Sequence, residues 1–474
     1  MPPSDAWKTF PYHRRSSALV FPRDEGWHYL LPGNIANPSL ANMEWVYTNA
    51  HLDEVGGEGR KFVLFAAYFT QGLRLLVLRA FDAEDRYLGA WTGTTLGLLT
   101  PHPDRLDLVY RHAGGIDRWR NVTKPSGELD PFHSRLSAID DADAFQVDLD
   151  FVNTKTPYEA GGIGWLPFGR RGWFGYYSLT RLSAKGVLRL TTPSGGTEEV
   201  RVNGMAWFDH QWGPFYVTPL RVRGLEEYEW MSIQLDSGDE IMLTTVWDTT
   251  GETPDREAFG GAGLIRKNNT FDKLIGANMW KRTRFWRSPT QGAIYSAGWT
   301  FEAEPWNTRL VITPRYPDQM TPLIDSTPMI RMLLERAGEQ LFNGPLNYLG
   351  DFWEGSCTVE GIFDGKPVRG YAFAELIKRY RVPELEVNVP RNDSDVTVVA
   401  WRVTNWDVQA PLTYRFFLET PDGTVLVDRP GLDISVTVLD DPALPRRTPL
   451  IARIVASSVD GTLSKTTAIR LELP

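Results

Sequence analysis

The stretch Glu229-Trp230-Met231-Ser232-Ile233-Gln234-Leu235, then Asp236-Ser237-Gly238-Asp239, then Glu240-Ile241-Met242-Leu243-Thr244-Thr245-Val246-Trp247 sets the fold class. Two apolar runs of strand length flank a turn of Asp, Ser and Gly, the pattern of a β-hairpin. Similar runs recur at Phe62–Phe69, Leu73–Phe81, Gly186–Thr192 and Leu310–Pro314, and another turn stands at Asp364-Gly365. An all-β chain is expected. The exception is Thr327–Gln340, where Met329, Leu333, Leu334 and Ala337 fall near helical spacing behind Ser326, a suitable N-cap. Asn269–Ala277 is a shorter helical candidate.

With 474 residues the chain exceeds one ordinary core, and at roughly 100–200 residues per domain three domains are expected. Their boundaries are read as 1–220, 221–382 and 383–474. Beyond Pro383 and Pro390, short strands at Val396–Thr404, Leu412–Glu419, Thr424–Val427, Ile434–Leu439, Leu450–Ser457 and Thr466–Leu473 have the spacing of an immunoglobulin- or fibronectin-like sandwich. A terminal module of this kind is read as a packing partner or interaction surface, without chemistry of its own.

Hydrophobic residues at 42% and charged residues at 23% describe a globular protein, and no apolar stretch approaches the roughly 20 residues of a membrane helix. Met1–Arg15 has no apolar centre of the kind that drives secretion, so a soluble, cytoplasmic protein is expected unless a leader was removed. The formal charge of −9 disfavours nucleic-acid and anionic-lipid partners. The single Cys357 excludes an intrachain disulfide. His13, His28, His51, His102, His112, His133 and His210 form no close ligand pairs in sequence, so no metal and no cofactor is expected, although distant residues can still assemble a metal site. Eighteen Trp, 17 Tyr and 23 Phe suit both sandwich cores and apolar ligand sites.

The densest chemical motif is Gly204-Met205-Ala206-Trp207-Phe208-Asp209-His210-Gln211-Trp212-Gly213. On a strand, Trp207, Asp209 and Gln211 share one face, and Phe208, His210 and Trp212 share the other. Asp209 and His210 reach one pocket only if the strand ends or bulges, as Gly213-Pro214 would allow. A carboxyl beside indole surface loses hydration, which raises its pKa and suits it to general acid catalysis. The bland alternative is a hydrogen-bonded strand end under two indoles. Asp248 ends the run Ile241–Trp247, at a barrel mouth or as a turn starter. Glu375 lies on an apolar strand, either desolvated or paired with an Arg such as Arg379.

The motif resembles the signature of the AttH-like and carotenoid-hydratase family, a lipocalin-like group related to fungal Diels-Alderases. Three further segments agree in order. They are Met43–Leu52, which includes Glu44-Trp45; Gly175–Leu182; and Val359-Glu360-Gly361 through Gly370-Tyr371-Ala372-Phe373-Ala374-Glu375. The likeness spans roughly 40–380 and implies two lipocalin-like β domains in tandem ahead of the sandwich, with an apolar ligand pocket. Val46 replaces a Trp common in the family, and Val246-Trp247-Asp248 departs from the Tyr-x-Asp of carotenoid hydratases, so a carotenoid substrate is not carried over.

The resulting expectation is a cofactor-free enzyme that hydrates, isomerises or cyclises an unsaturated hydrophobic small molecule, such as an isoprenoid, polyene or polyketide. Its catalytic candidates are Asp209, His210, Asp248 and Glu375. Trp45, Tyr47, His51, Tyr177, Trp207, Trp212, Trp230, Trp247 and Tyr371 are substrate-binding candidates. The competing reading is a carrier that binds such a ligand without changing it. A glycosidase built on Asp209 with Asp248 or Glu375 is a third.

Overall fold

The computed structural model describes residues 19, 21, 23–28 and 43–213 apart from 71, 163, 169–171 and 193–194. It continues with 227–247, with 258–322 apart from 277–278 and 290–291, and with 351–474 apart from 394–395, 405–409 and 433–434. The expected helix Thr327–Gln340 lies outside these residues, as does Asp248. The helical candidate at Asn269–Ala277 is corrected: Phe271–Ile275 is a strand paired with Ala258–Ile265. Its start at Asn269, where φ is positive at 65°, belongs to the connection between those strands, and sheet pairing overrides weak local propensity.

The chain is all-β and lipocalin-like, and among the described residues its strands form four sheets. A thirteen-stranded sheet lies within 43–213 and curls into a nearly closed barrel. A ten-stranded sheet within 227–376 makes a half-barrel. Three- and four-stranded sheets follow within 385–472. Val399, Trp401 and Leu439 of the former pack with Phe416, Leu450 and Ile454 of the latter in one core, as in a sandwich.

Strand alternation divides the interior. In the opening strand Met43–Glu54, Val46, Ala50 and Leu52 join the core of the first barrel, while Tyr47 joins a second cluster. That cluster also takes Val63, Phe65 and Ala67 from Lys61–Phe69, and Leu75, Val77 and Phe81 from Leu73–Phe81. From the second sheet it receives Trp230, Met242 and Phe373, whereas Met231, Leu243 and Ala374 point into the half-barrel. The two large sheets therefore meet along an aromatic seam.

Polar contacts fix the seam. His51 Nε2 lies 2.9 Å from Ser356 Oγ, and Gln234 donates to the Thr180 and Ala206 carbonyls at 2.8 and 3.0 Å. Buried Glu240 of the second sheet receives Lys155 at 2.5 Å and also Arg181, both from the first-sheet side. The sandwich reaches the second sheet through Phe285, Ile294, Tyr380, Ala410 and Leu463, and Phe285 N–H donates to Asp460 at 2.8 Å.

One hairpin of the second sheet joins Asp351–Phe363 to Lys366–Leu376 through Asp364-Gly365, both with positive φ (50° and 74°). That is the tight two-residue turn whose twist matches paired strands.

Candidate functional site

The motif strand, Thr197–Gly213, pairs without interruption with the opening strand from Val202 opposite Glu54 to Gly213 opposite Met43. Continuous pairing preserves alternation, so Trp207 enters the seam while Phe208 and Trp212 enter the first barrel. The irregularity lies on the neighbouring strand Gly172–Thr191, where the register shifts between Leu179 and Leu182. Asp209 and His210 therefore do not share a pocket, and His210 does not set the charge of Asp209. Alternation wins because no bulge interrupts the pairing at these two residues.

Asp209 is fully buried in the seam, where Oδ2 accepts from the Tyr176 hydroxyl and Oδ1 from the Trp207 indole, both at 2.7 Å. Trp230 in turn donates to the Tyr176 oxygen at 3.0 Å. Tyr47 stands edge-on to Trp230 at 5.7 Å. Burial raises the Asp209 pKa to about 6, against the restraining effect of the Ser178, Tyr176, Trp207 and Tyr47 groups.

Across the seam, Glu375 is half-buried and accepts from the Tyr228 hydroxyl. Burial carries its pKa to about 7; the Tyr228 bond lowers it and the Asp209 charge raises it. The arginine pairing expected for Glu375 is replaced by this phenol. Directly opposite Glu375 on the paired strand stands Glu354, almost fully buried. Its Oε2 has no hydrogen-bond partner among the described residues. Burial, then the charge of Glu375, pushes the Glu354 pKa well above the usual carboxylate range, while Arg79 opposes them. Opposed cross-strand side chains have Cβ atoms about 5 Å apart, so two ionised carboxyls here would repel at short range.

The other face of the motif strand holds a second polar group inside the first barrel. His210 Nε2 and His28 Nδ1 lie 2.8 and 2.9 Å from Glu44 Oε1, and His28 Nε2 lies 3.2 Å from Asp24 Oδ1. Trp212 stacks on His28 at 3.8 Å, and Tyr177 stands edge-on to His210 at 5.5 Å. Burial opposes charge on Glu44, but hydrogen bonds from His210 and His28 outweigh it and lower the pKa. Burial likewise disfavours charge on both imidazoles: Asp24 and Glu44 reverse this for His28, whereas His210 remains below its ordinary value. The donor atoms of His28, Glu44 and His210 lie within 4.8 Å of one another, a spacing that can hold a metal ion.

The AttH-like family model matches residues 110–379. This chain belongs to the AttH-like family. The match leaves out the opening strand, so the sequence likeness at Met43–Leu52 extends beyond the matched segment. The fold of this AttH-like chain is similar to that of an AttH protein from Nitrosomonas europaea, with a TM-score of 0.50 at 19% identity, covering 76% of this chain and 97% of that one. It is also similar to kievitone hydratase from Nectria haematococca, with a TM-score of 0.50 at 16% identity, covering 74% and 97%. CghA bound to Sch210972 aligns at a TM-score of 0.42 and 10% identity over 75% and 95%. No curated protein matches the sequence.

The remaining candidates of this AttH-like chain divide among three places. Trp45, Tyr47, Trp207 and Trp230 belong to the seam, Trp45 only half-buried there. His51 and Tyr371 also meet between the sheets, stacked at 4.8 Å, and burial with the Arg315 charge lowers the His51 pKa to about 3. Tyr177 and Trp212 lie in the first barrel with His210. Trp247 lies beside a buried Glu229–Arg282 ion pair of 2.6 Å, its ring 5.0 Å from the Arg282 guanidinium carbon. Sequence reasoning weighed Tyr176 with Tyr177 as opposite-facing phenols and chose Tyr177, whereas Tyr176 takes the seam position; it missed Glu354 and Tyr228 there, and the joining of His28 and Glu44 to His210. Glu354 was accessible by counting: it precedes the Asp364-Gly365 turn by as many residues as Glu375 follows it.

Among the described residues no helix is long and apolar enough to cross a membrane.

Proposed function

We propose that this chain is an enzyme that protonates an unsaturated hydrophobic small molecule in the seam between its two large sheets, and adds water to it. The observation that carries this reading is the Glu354–Glu375 pair, two carboxyls held opposite each other with aromatic side chains around them. Such a pair retains a proton near neutral pH because both members cannot ionise together at low cost. Glu375, half-buried, is the member placed to deliver that proton.

Proton transfer from Glu375 to one alkene carbon leaves a carbocation at the other. The π faces of Trp207, Trp230 and Tyr47 stabilise positive charge there. Water then forms the new C–O bond, and its surplus proton goes to Asp209, whose carboxylate is held by Tyr176 and Trp207. After product release Asp209 gives its proton to solvent and Glu375 takes one back, so the net reaction is addition of water, balanced without a redox partner or cofactor. The hydratase activity in the name of the Nectria haematococca protein, which shares the fold, supports this choice over cyclisation or isomerisation. A soluble protein with a hydrophobic small-molecule substrate fits the same reading.

The test is incubation of purified protein with isoprenoids and linear polyenes in ¹⁸O-labelled water, followed by mass spectrometry. Enzymatic hydration incorporates one labelled oxygen, and Glu375→Gln should lower the rate by roughly 10²–10⁴ while the protein stays folded. Retention of every bound probe unchanged would establish a carrier instead.

A further inference from the structure

We propose that His28, Glu44 and His210 form a zinc site inside the first barrel, which fastens the 23–28 segment to the barrel wall. The three residues come from three separate parts of the chain: the segment before the first long strand, the opening strand and the motif strand. Two imidazoles with one carboxylate are a familiar ligand set for Zn²⁺, whose fourth position then takes water or another donor.

The hydrogen bonds around the cluster favour coordination. A metal-bound imidazole must present an unprotonated nitrogen inward and commonly donates its other N–H to a carboxylate or backbone carbonyl. Both outer partners are supplied by Asp24. Its carboxylate lies 3.2 Å from His28 Nε2, and its backbone carbonyl faces His210 Nδ1, short of full hydrogen-bond geometry. His28 Nδ1 and His210 Nε2, which donate to Glu44 in this structure, are then the nitrogens that would exchange their protons for a metal ion.

The distances require a small expansion. Both nitrogens lie 2.8–2.9 Å from the same Glu44 oxygen, whereas tetrahedral zinc with bonds of about 2.0–2.1 Å separates its ligand atoms by roughly 3.3 Å. An outward shift of about half an ångström in each ring satisfies zinc. A second observation points to an occupant: Tyr177 is fully buried and edge-on to His210, and its hydroxyl has no hydrogen-bond partner among the described residues. It is a polar neighbour available to a water in the fourth position.

The site is separate from the seam, because the motif strand stands between them. Zinc binding and seam chemistry can therefore fail independently.

The experiment uses full-length protein treated with a chelator and dialysed, then titrated calorimetrically with ZnCl₂. One equivalent should bind with sub-micromolar affinity and raise the melting temperature. His28→Gln and Glu44→Gln should each weaken binding at least tenfold and abolish that thermal shift, while Asp24→Asn, which alters only the outer partner, should weaken it by a smaller factor. Folding of each variant is checked by near-ultraviolet circular dichroism. Absence of stoichiometric binding to the wild type, or equal affinity in folded His28→Gln, overturns the proposal. Should the variants not fold, the Co²⁺-loaded wild type decides. Intense visible bands of a four- or five-coordinate ion support the site, and the weak bands of a hydrated six-coordinate ion overturn it.

Discussion

Asp209 and His210 are consecutive in the chain and stand on opposite faces of one strand, Asp209 bonded to Tyr176 in the seam and His210 beside Glu44 in the first barrel. Their substitutions should therefore have separable effects. Asp209→Asn is expected to lower turnover by about 10²-fold or more. His210→Gln removes a partner from buried Glu44 and should cost about 3 kcal/mol of stability, with turnover per folded molecule nearly unchanged. Denaturant melts alongside steady-state rates check both. A His210→Gln protein of normal stability and lost turnover would contradict the separation.

The rate should fall as pH rises through about 7, where Glu375 gives up its proton. The groups facing it are Tyr228 on one neighbouring strand, Glu354 on the other and Asp209 across the seam, with Arg79 acting on Glu354. The sign for stability is the same. The unfolded chain releases this proton near the ordinary value of 4.5 and the folded chain near 7, so the contribution is complete below about 4.5 and declines until about 7. Asp209→Asn removes the charge that raises Glu375 and should move the upper inflection of the residual pH–rate profile toward lower pH. A profile unchanged in Asp209→Asn would show that Glu375 titrates independently of the carboxylate across the seam.

Gly175 supports the stack on the barrel side. A Cβ there would lie 2.3 Å from the Trp212 ring, a rigid group that itself stacks on His28. Gly175→Ala is expected to destabilise the protein by about 1–3 kcal/mol, read as a lowered melting temperature. A neutral substitution would mean that the indole has room to move.

The sandwich is expected to be dispensable for ligand binding if, as we propose, residues from about 383 onward form a separate domain. Deletion of 390–474 exposes Phe285, Ile294 and Tyr380, so the melting temperature should fall while probe affinity is retained. Loss of binding by soluble, folded truncated protein would assign the sandwich a part in the site.

Much of the fold was legible because period-two alternation is local. The hairpin at 229–247 and the two faces of Trp207–Trp212 follow from residue order alone. What alternation cannot supply is the surface that each face meets. Asp209 reaches the seam because the second sheet packs there, and His210 meets Glu44 from 166 positions away. His28 and Glu44, 16 positions apart, form no recognisable ligand spacing until the barrel closes. The Asp209–His210 partnership failed for a simpler reason: the bulge that would have joined them is on the adjacent strand.

The hairpin that carries Glu354 and Glu375 gives a surface turn authority over distant chemistry. Nine residues of strand separate Glu375 from the turn side of the pairing at Lys366, about 30 Å at roughly 3.4 Å per residue. Because side chains alternate faces, one residue added at Asp364-Gly365 and absorbed as a one-step slip would turn Glu375 away from the seam while Glu354 stayed. Tolerance of that loop to insertion is thus set by the register of two carboxyls at the far end of the ribbon, and natural or engineered length changes there should come in steps that restore it.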